Sequence, residues 1–366
     1  MVTVIFLIGI VGFASWKILG SVGRQSLYGR SASGGPDLTG LQQAAGENAG
    51  DSETSDANTA ADGSEMEDTG LSHWEEGWIR YKGEVYAYNE DILTFLILGI
   101  DKSGPATPGK DGISGGQADA QFLAILNPHQ KSISILAINR NTMTDVDVYD
   151  REGQYVKTMP LQICLQHGYG DGMEQSCERS VKAVSNLLYS LPIHGYCSLN
   201  MGAVPQINHA VGGVTLEILE DIPAASGGAA PAMTAGETRT LSDAEAYQYT
   251  RWRSDEFDAA SLRLKRQRQY LTEFIRQIKQ KLKENPTAAA ELYTAITPYM
   301  VTDLSLSEVS YLASEAGSYS FDSQRIYTLE GETIVGRSDF EEFYPDEDAL
   351  YDLMIRLFYE KVEETD

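Results

Sequence analysis

One segment, Tyr249–Tyr270, contains five arginines and a lysine in a chain whose net charge is −25. Arg251 and Arg253 lie two residues apart, so on an extended segment their side chains would share a face. Arg263 and Gln267 fall in a run with helical spacing. Planar guanidinium groups that converge from two elements suit a phosphate or pyrophosphate, because each can bind two oxygens at once. The alternative is a solvated basic face that pairs with neighbouring carboxylates.

Two aspartates stand at the ends of predicted strands. Asp101 ends the run L-I-L-G-I-D, and Asp119 opens the run A-D-A-Q-F-L-A-I-L. Binding crevices of open α/β sheets lie at strand ends, so the two carboxylates could hold a hard divalent cation such as magnesium. Aspartate is also a common turn residue, which is the alternative explanation. Arg140 follows the apolar run I-S-I-L-A-I-N and adds a cation at a third strand end.

Apolar runs without alternation predict the sheet that carries these residues. The runs are Ile92–Ile100, Ala120–Leu126 and Ile133–Ile138, and continuous apolar strands are typical of a sheet buried on both faces. Helical periodicity at Cys177–Leu191 and Leu264–Glu284 supplies covering helices. The sequence therefore predicts an α/β protein, an α-β-α sandwich with a central mixed β-sheet.

The N-terminus differs in character from the rest of the chain. Val2–Trp16 has no charge, and the apolar run reaches Gly20 if Lys17 snorkels, which is at the short end for spanning a bilayer. We predict an uncleaved transmembrane anchor at residues 1–20. A cleaved signal peptide is the alternative, although it would need a basic N-terminal region and a small-residue cleavage site. Basic residues follow the run and none precedes it, the reverse of what an N-inside anchor prefers.

Gly, Ala, Ser, Thr, Asp and Glu dominate residues 21–72, with few large apolar side chains. Such a composition cannot bury enough surface to fold, and it predicts a disordered acidic linker between the anchor and a domain. Residues 73–366 form the predicted extracytoplasmic domain, with a core at about 92–280 and a C-terminal α/β extension. A hairpin is expected to turn at Lys82-Gly83.

Three cysteines leave room for one disulfide. Cys164 and Cys177 bracket a Gly-rich loop, H-G-Y-G-D-G-M-E-Q-S, and a short loop closed by a disulfide would be at home in an exported domain. We therefore predict that Cys164 and Cys177 are bonded and that Cys197 remains a thiol. Three reduced core cysteines are the alternative. No CxxC or Cys/His spacing points to zinc.

Composition and motifs disfavour two other classes of function. With 366 residues, 42% of them hydrophobic, the chain is long enough for a proper core. A pI near 4.5 disfavours nucleic-acid binding. The chain has no G-x-x-x-x-G-K-[ST] and no G-x-G-x-x-G after a strand, which disfavours a nucleotide-binding α/β protein.

Several motifs follow one another behind the N-terminal apolar segment, in the order L-G-I-D, A-D-A-Q-F-L-A-I-L, I-N-R-N-T-M, V-G-G-V, R-W-R and R-L-K-R-Q-R-Q. The ordered set resembles the LytR-CpsA-Psr family of cell-wall glycopolymer ligases, over roughly Ile92 to Ile278. The resemblance implies an extracytoplasmic α/β/α domain held in the cell membrane by one transmembrane helix. It also implies that the protein moves a glycopolymer, such as a teichoic acid or capsule, from a polyprenyl pyrophosphate carrier to peptidoglycan with magnesium as cofactor.

Position by position, the resemblance implies that seven polar residues form the catalytic site. Two of them match the acidic metal ligands, Asp101 and Asp119. The other five match residues that bind the substrate pyrophosphate, namely Arg140, Arg251, Arg253, Arg263 and Gln267. Phosphoryl transfer is catalysed mainly by placing cations and donors around the phosphate oxygens, and a lipid tail needs an apolar groove beside them.

Two positions depart from the family pattern. Asn141 replaces the aspartate of the motif I-P-R-D-T, so the acidic partner of Arg140 becomes a neutral amide. Gln117 stands where the family often carries an arginine. Both changes remove charge near the expected pyrophosphate, and they favour a non-catalytic relative that binds polyprenyl phosphates or pyrophosphates in envelope assembly or regulation. Retention of the other site residues favours the phosphotransferase.

Overall fold

The structure of the protein is a computed structural model that describes residues 13–30, 35–38, 75, 77–285, 288–316, 319–336 and 339–362. Its α-helices are α1 Phe13–Gly29, α2 Leu165–Gly168, α3 Glu174–Leu187, α4 Val204–Ala210, α5 Asp243–Arg251, α6 Ala259–Glu284, α7 Ala288–Ile296, α8 Leu306–Ala316 and α9 Glu347–Phe358. Its strands are β1 Ile79–Tyr81, β2 Glu84–Tyr88, β3 Leu93–Ile100, β4 Ala118–Asn127, β5 Ser132–Ile138, β6 Met143–Tyr149, β7 Tyr155–Gln162, β8 Gly195–Asn200, β9 Thr215–Glu217, β10 Thr238–Thr240, β11 Met300–Thr302, β12 Ser320–Thr328, β13 Gly331–Val335, β14 Glu341–Pro345 and β15 Tyr359–Lys361.

The central sheet is mixed and has six strands in the order β11-β8-β3-β4-β5-β12. Strand β4 runs antiparallel to both β3 and β5. Strand β8 pairs with β3, and β12 with β5, in parallel, while β11 closes one edge antiparallel to β8. The three predicted apolar runs form β3, β4 and β5 in the middle of the sheet. The predicted mixed sheet is confirmed.

Both faces of the sheet are covered. On β3, Leu96 and Leu98 face a core that α3 and α9 complete, while Phe95 faces a second core that α6 and α8 complete. This division follows from the strand geometry, which points successive side chains to opposite faces. Phe95 is 2% exposed, and burial of such a side chain stabilises the fold by about 1.5–3 kcal/mol. The helices therefore cover the sheet on both sides, as the sequence predicts.

Hairpins flank the sheet. The β1–β2 hairpin turns at Lys82-Gly83 as predicted, and both turn residues have positive φ, 49° and 83°, as a two-residue hairpin turn of type I′ requires. Strands β6 and β7 form a hairpin that the sequence did not predict, because most of its residues are polar or half-exposed. Strands β13 and β14 form a hairpin in the C-terminal part.

Helix α1 packs on the folded domain. Leu27 is fully buried, and Gly23 lies so close to α8 that a Cβ there would be 2.0 Å from a carbonyl oxygen of that helix. Arg30 forms an ion pair of 2.8 Å with the buried Glu308. The prediction of a disordered linker is therefore wrong for its first residues, 21–30, because apolar and charged contacts order them.

Residues 35–38 also lie against the domain, where Leu38 is 1% exposed. The remainder of the predicted linker lies outside the described residues, as do residues 1–12 of the predicted anchor. Within the described ranges, no helix combines the length and apolar character that crossing a membrane requires.

The predicted disulfide is not formed, since Cys164, Cys177 and Cys197 are all buried thiols. The Cys164 Sγ lies 3.1 Å from Nη2 of Arg140. The Cys177 Sγ, on α3, lies 3.9 Å from Nε2 of His167. The two sulfur atoms thus have different partners, and the alternative of three reduced core cysteines agrees with the structure. Burial raises the pKa of the Cys177 thiol to about 12, so it stays protonated.

Candidate active site

Asp119 is held between two arginines. Its Oδ1 forms an ion pair of 3.0 Å with Nε of Arg140, without the alignment of a hydrogen bond. Its Oδ2 accepts a hydrogen bond of 2.9 Å from Nη1 of Arg263. The side chains of Asp119, Arg140 and Arg263 are 14%, 11% and 6% exposed. We call these three residues the charged cluster; the guanidinium groups in it are of the kind that bind anions through several N–H donors.

The register of the sheet brings Asp119 and Arg140 together. Gln121 of β4 pairs with Ile138 of β5, so residues 119 and 140 stand opposite each other where β4 begins and β5 ends. Arg263 comes from the second turn of α6, and the next residue of that helix packs into the core on one face of the sheet. Three segments that are far apart in sequence therefore meet at one end of the sheet.

Asp101 joins the charged cluster through Gln117. The Asp101 Oδ1 accepts a hydrogen bond of 2.8 Å from the backbone N–H of Gln117, and the side-chain oxygen of Gln117 accepts one from Nη2 of Arg140. Gln117 carries no charge, but its side chain orients Arg140. Sequence reasoning missed this role because the contact spans a loop whose path only the structure gives.

Arg263 has unused hydrogen-bonding capacity. Burial lowers its pKa, Asp119 opposes this effect, and the positive charges of Arg140 and Arg253 add to it. Its Nη2 is buried and has no hydrogen-bond partner within the described part of the chain. An unsatisfied buried donor costs about 1–3 kcal/mol. An anion that accepts a hydrogen bond from this nitrogen would recover that energy.

Arg140 responds differently to the same surroundings. Burial works to lower its pKa, but Cys164, Asp119 and Asp101 outweigh burial and the pKa is raised. Burial also raises the pKa of the Cys164 thiol, so that thiol is neutral at pH 7 and the two carboxylates are the lasting cause. Arg140 is therefore a permanent cation whose charge the neighbouring aspartates stabilise.

The R-x-R pair does not act as one unit. Arg253 is exposed, and it lies close enough to Arg263 to help lower the pKa of that residue. Arg251 is exposed and donates a hydrogen bond of 2.9 Å to the hydroxyl of Tyr247. The prediction that both side chains share a face of an extended segment is wrong, because Arg251 is the last residue of the helix α5.

Two side chains of α6 hold the last turn of α5 and the residue that follows it. Gln267 is 6% exposed and donates a hydrogen bond of 3.1 Å to the carbonyl oxygen of Thr250. Arg266 is fully enclosed and donates to the carbonyl oxygens of Tyr249, at 2.9 Å, and of Trp252. Arg266 thus positions the R-x-R segment. Sequence reasoning counted Arg266 with the other cations of the segment. Its position three residues after Arg263 on a helix was the available signal that the two side chains have different partners.

Asn141 does not contact the guanidinium group of Arg140. Its Nδ2 donates a hydrogen bond of 3.1 Å to Oε2 of Glu341, and its side chain is buried. The expectation that position 141 partners Arg140 is therefore replaced by a contact with the C-terminal hairpin. A carboxylate at this position would face that of Glu341, so an amide fits these surroundings better than an acid.

An apolar cavity lies beside the charged cluster. Ala120, next to Asp119, and Gln267, one helical turn after Arg263, both line it. Most of the remaining lining is apolar, and it includes Phe122, Leu199, Met201, Ile207, Leu271 and Phe274. The apolar cavity and the charged cluster therefore draw on neighbouring residues of the same two elements, β4 and α6.

Two carboxylates near the arginines could hold magnesium only together with further ligands such as phosphate oxygens. Magnesium is usually held by one or two carboxylates together with substrate phosphate oxygens, and Asp101 and Asp119 are the carboxylates that could take this role. Both oxygens of Asp119, however, face arginines. Over the described ranges, no group of three or more His, Cys, Asp or Glu side chains could hold a metal. A phosphate that attracts the arginines would release Asp119 as a ligand.

The mixed six-stranded sheet, with helices on both faces, defines an α/β/α protein that carries a charged cluster beside an apolar cavity. The sequence profile of the LytR-CpsA-Psr family matches residues 50–350. The chain therefore belongs to the LytR-CpsA-Psr family, and the resemblance found from the order of its motifs is confirmed.

Named relatives are about a quarter identical to the chain over the aligned residues. The polyisoprenyl-teichoic acid–peptidoglycan teichoic acid transferase TagU of Enterococcus faecalis is 26% identical over 63% of this chain and 68% of its own length. Biofilm regulatory protein A of Streptococcus mutans is 24% identical over 68% of this chain and 60% of its own length. The chain thus spans roughly two thirds of these relatives.

Solved structures share the fold. The crystal structure of TagV from Bacillus subtilis gives a TM-score of 0.55 at 20% identity, covering 73% of this chain and 95% of TagV. A protein from Streptococcus agalactiae gives 0.58 at 19% identity, covering 73% of this chain and 86% of that protein. At these identities the likeness shows the architecture and leaves the chemistry to the site.

Proposed function

We propose that the protein is a membrane-anchored phosphotransferase that moves a phosphoglycopolymer from a polyprenyl pyrophosphate carrier to peptidoglycan. The observation that carries this proposal is the charged cluster beside an apolar cavity. A polyprenyl pyrophosphate joins the same two chemistries in one molecule. The similarity to the Enterococcus faecalis polyisoprenyl-teichoic acid–peptidoglycan teichoic acid transferase supports the same reaction class.

In the proposed reaction, a hydroxyl group of peptidoglycan attacks the phosphorus atom that bears the glycopolymer. A new P–O bond to that hydroxyl oxygen forms as the bridging P–O bond of the pyrophosphate breaks. Polyprenyl phosphate leaves with the electron pair of the broken bond, and the hydroxyl proton passes to a base. Negative charge therefore grows on the leaving phosphate, next to the apolar tail that the cavity would hold.

Arginines are suited to that charge. Nη2 of Arg263 is a buried donor without a partner in the described chain, and we assign it to a pyrophosphate oxygen. Arg140, Arg253 and Gln267 complete the proposed binding set, with Arg251 at its edge. Removing one preorganised donor of this kind typically costs about 2.7–4 kcal/mol of transition-state stabilisation.

Magnesium is the proposed cofactor. Asp101 and Asp119 would hold it, with oxygens of the pyrophosphate as further ligands. When bound, magnesium would neutralise part of the phosphate charge. Arg140 and Arg263, which face Asp119 in the structure, would turn to the phosphates.

Membrane anchoring fits such a substrate, because a polyprenyl carrier resides in the lipid bilayer. We propose that residues 1–20 anchor the chain and that the domain acts on the extracytoplasmic side, at the bacterial cell envelope. Because residues 39–72 are acidic and have few large apolar side chains, we propose that this segment is the linker between the anchor and the domain.

A non-catalytic protein that binds polyprenyl phosphates or pyrophosphates, in envelope assembly or regulation, is the second candidate. Both oxygens of Asp119 are occupied by arginines, which favours this alternative because an occupied carboxylate is a poor base. One relative bears the name biofilm regulatory protein A.

A transfer assay with a polyprenyl pyrophosphate-linked glycopolymer and peptidoglycan separates the two candidates. We expect the wild type to transfer, and Arg263→Ala to lower the rate by about 100-fold or more. The matched control is Arg276→Ala, on the same helix, where the arginine is 66% exposed and pairs only with its neighbour Glu273 among the ion pairs of the described chain. A wild type that binds the carrier without transfer would favour the binding protein, and full activity of Arg263→Ala would contradict the site.

A further inference from the structure

The C-terminal hairpin β13–β14 contacts both segments that carry the cluster arginines. On one side, the backbone N–H of Phe343 donates a hydrogen bond of 2.9 Å to the carbonyl oxygen of Asn141, which follows Arg140. On the other side, the hydroxyl of Thr333 donates one of 3.1 Å to Oδ1 of Asp258, just before α6. The hairpin therefore lies between the loop after β5 and the start of α6.

Glu341, at the start of β14, links the two segments through one carboxylate. Its Oε2 accepts a hydrogen bond of 3.1 Å from Nδ2 of Asn141. Its Oε1 accepts one of 3.2 Å from the backbone N–H of Ala259, the first residue of α6. The two segments also contact each other directly, since Nδ2 of Asn139 donates a hydrogen bond of 3.1 Å to the hydroxyl of Ser261.

Helix α6 lacks a side-chain cap from its own N-cap residue. Asp258 occupies that position with φ 62° and makes no capping hydrogen bond. The first N–H groups of a helix have no partner within the helix, and a carboxylate is favourable there because the helix dipole is positive at this end. Glu341 provides the carboxylate from 82 residues further along the chain.

We propose that Glu341 is a positioning residue of the charged cluster. It ties Asn141, the neighbour of Arg140, and Ala259, one turn before Arg263, to the same group. It thereby sets the separation of the two guanidinium groups that flank Asp119. The inference rests on the proposed function only for its ligand, a pyrophosphate group.

The proposal also accounts for the amide at position 141. An amide donates a hydrogen bond to a carboxylate, whereas two facing carboxylates repel each other and have no proton to share when both are ionised. Asn141 and Glu341 are thus a matched donor and acceptor, and exchanging their roles should preserve the link.

Calorimetric titration with inorganic pyrophosphate tests the link in the full chain. We expect Glu341→Ala to weaken pyrophosphate binding by about 10-fold, the scale of one lost charge-assisted hydrogen bond. The matched control is Glu342→Ala, the next residue of β14, whose carboxylate accepts from the hydroxyl of Tyr344. This control should bind within about 2-fold of the wild type.

A charge exchange separates positioning from mere stability. Asn141→Asp alone should weaken binding by at least as much as Glu341→Ala. Combining Asn141→Asp with Glu341→Gln should restore affinity to within about 3-fold of the wild type, because the glutamine amide donates to the new aspartate while its oxygen still accepts from Ala259. Losses that merely add in the double variant would overturn the proposal, as would wild-type affinity in Glu341→Ala.

Failure of the Glu341 proposal can be told apart from failure of the proposed function. If the wild type binds no pyrophosphate, the proposed function fails, and amide hydrogen exchange decides the Glu341 inference. Exchange at residues 259–263 should then be faster in Glu341→Ala than in Glu342→Ala, and equal rates would overturn the link. If Glu341→Ala does not fold, the double variant with Asn141→Asp and Glu341→Gln replaces it. Amide exchange at residues 259–263 should then be slower in the double variant than in Asn141→Asp alone, and equal rates would overturn the link.

Discussion

Asp119→Asn removes the charge that holds Arg140 and Arg263 in place. In the wild type, each guanidinium faces one carboxylate oxygen, at 3.0 and 2.9 Å. In the variant, two buried cations face each other across a neutral amide. Breaking a buried ion pair by removing one partner costs about 3–5 kcal/mol. Because Asp119 keeps 14% exposure, we expect a loss of unfolding free energy near the lower end, about 3 kcal/mol.

The same change frees both arginines for another anion. An incoming pyrophosphate must displace Asp119 from them in the wild type but has no competitor in the variant. Without magnesium, we expect Asp119→Asn to bind inorganic pyrophosphate about 10- to 100-fold more tightly, which recovers about 1.4–2.7 kcal/mol of the lost stability. With magnesium, the wild type should gain affinity and the variant should not, since Asp119 is a proposed ligand.

Urea unfolding measures the free energy of unfolding, and calorimetric titration measures the pyrophosphate affinity. Each is measured with a chelator and with magnesium for both proteins. The control is Asp147→Asn, since Asp147 is also buried and pairs with Lys182 at 2.7 Å. This control should lose stability and keep the pyrophosphate affinity of the wild type. Weaker pyrophosphate binding by Asp119→Asn without metal would refute the competition. An equal gain from magnesium in both proteins would refute Asp119 as a ligand.

Ile207→Trp should fill the apolar cavity and weaken binding of geranylgeranyl pyrophosphate by about 10-fold or more, the scale of a core overpacking penalty. Inorganic pyrophosphate should bind as before, and equal calorimetric losses would contradict a lipid site. Denatured, unreduced protein should show all three thiols, whereas a single reactive thiol would reinstate the predicted disulfide. Burial lowers the pKa of His167 and of His194 to about 4, so below about pH 6.5 the unfolded state binds more protons and stability falls as pH drops towards 4. Each histidine should lower the free energy of unfolding by about 2 kcal/mol between pH 7 and pH 5. Urea unfolding of His167→Asn and His194→Asn should therefore show a weaker pH dependence of stability than the wild type. An unchanged pH dependence would contradict the lowered pKa values.

Local patterns were sufficient for the main elements. The apolar run Ile92–Ile100 predicted a strand buried on both faces, and β3 is that strand, because an uninterrupted apolar segment is stable only where both faces are covered. Ser242 and Glu245 form the capping box that begins α5, a contact between residues three apart. The order of motifs was likewise enough for the family, since each motif is a short stretch of backbone.

Tertiary structure alone decided which side chains meet. Asp119 meets Arg263 from 144 residues away, and Asn141 meets Glu341 from 200 residues away. The predictions that Cys164 and Cys177 are bonded and that Arg251 and Arg253 share a face of an extended segment were both wrong, because closeness in sequence does not fix the direction of a side chain. Those directions depend on sheet register and on how distant segments pack, and neither is encoded in local periodicity.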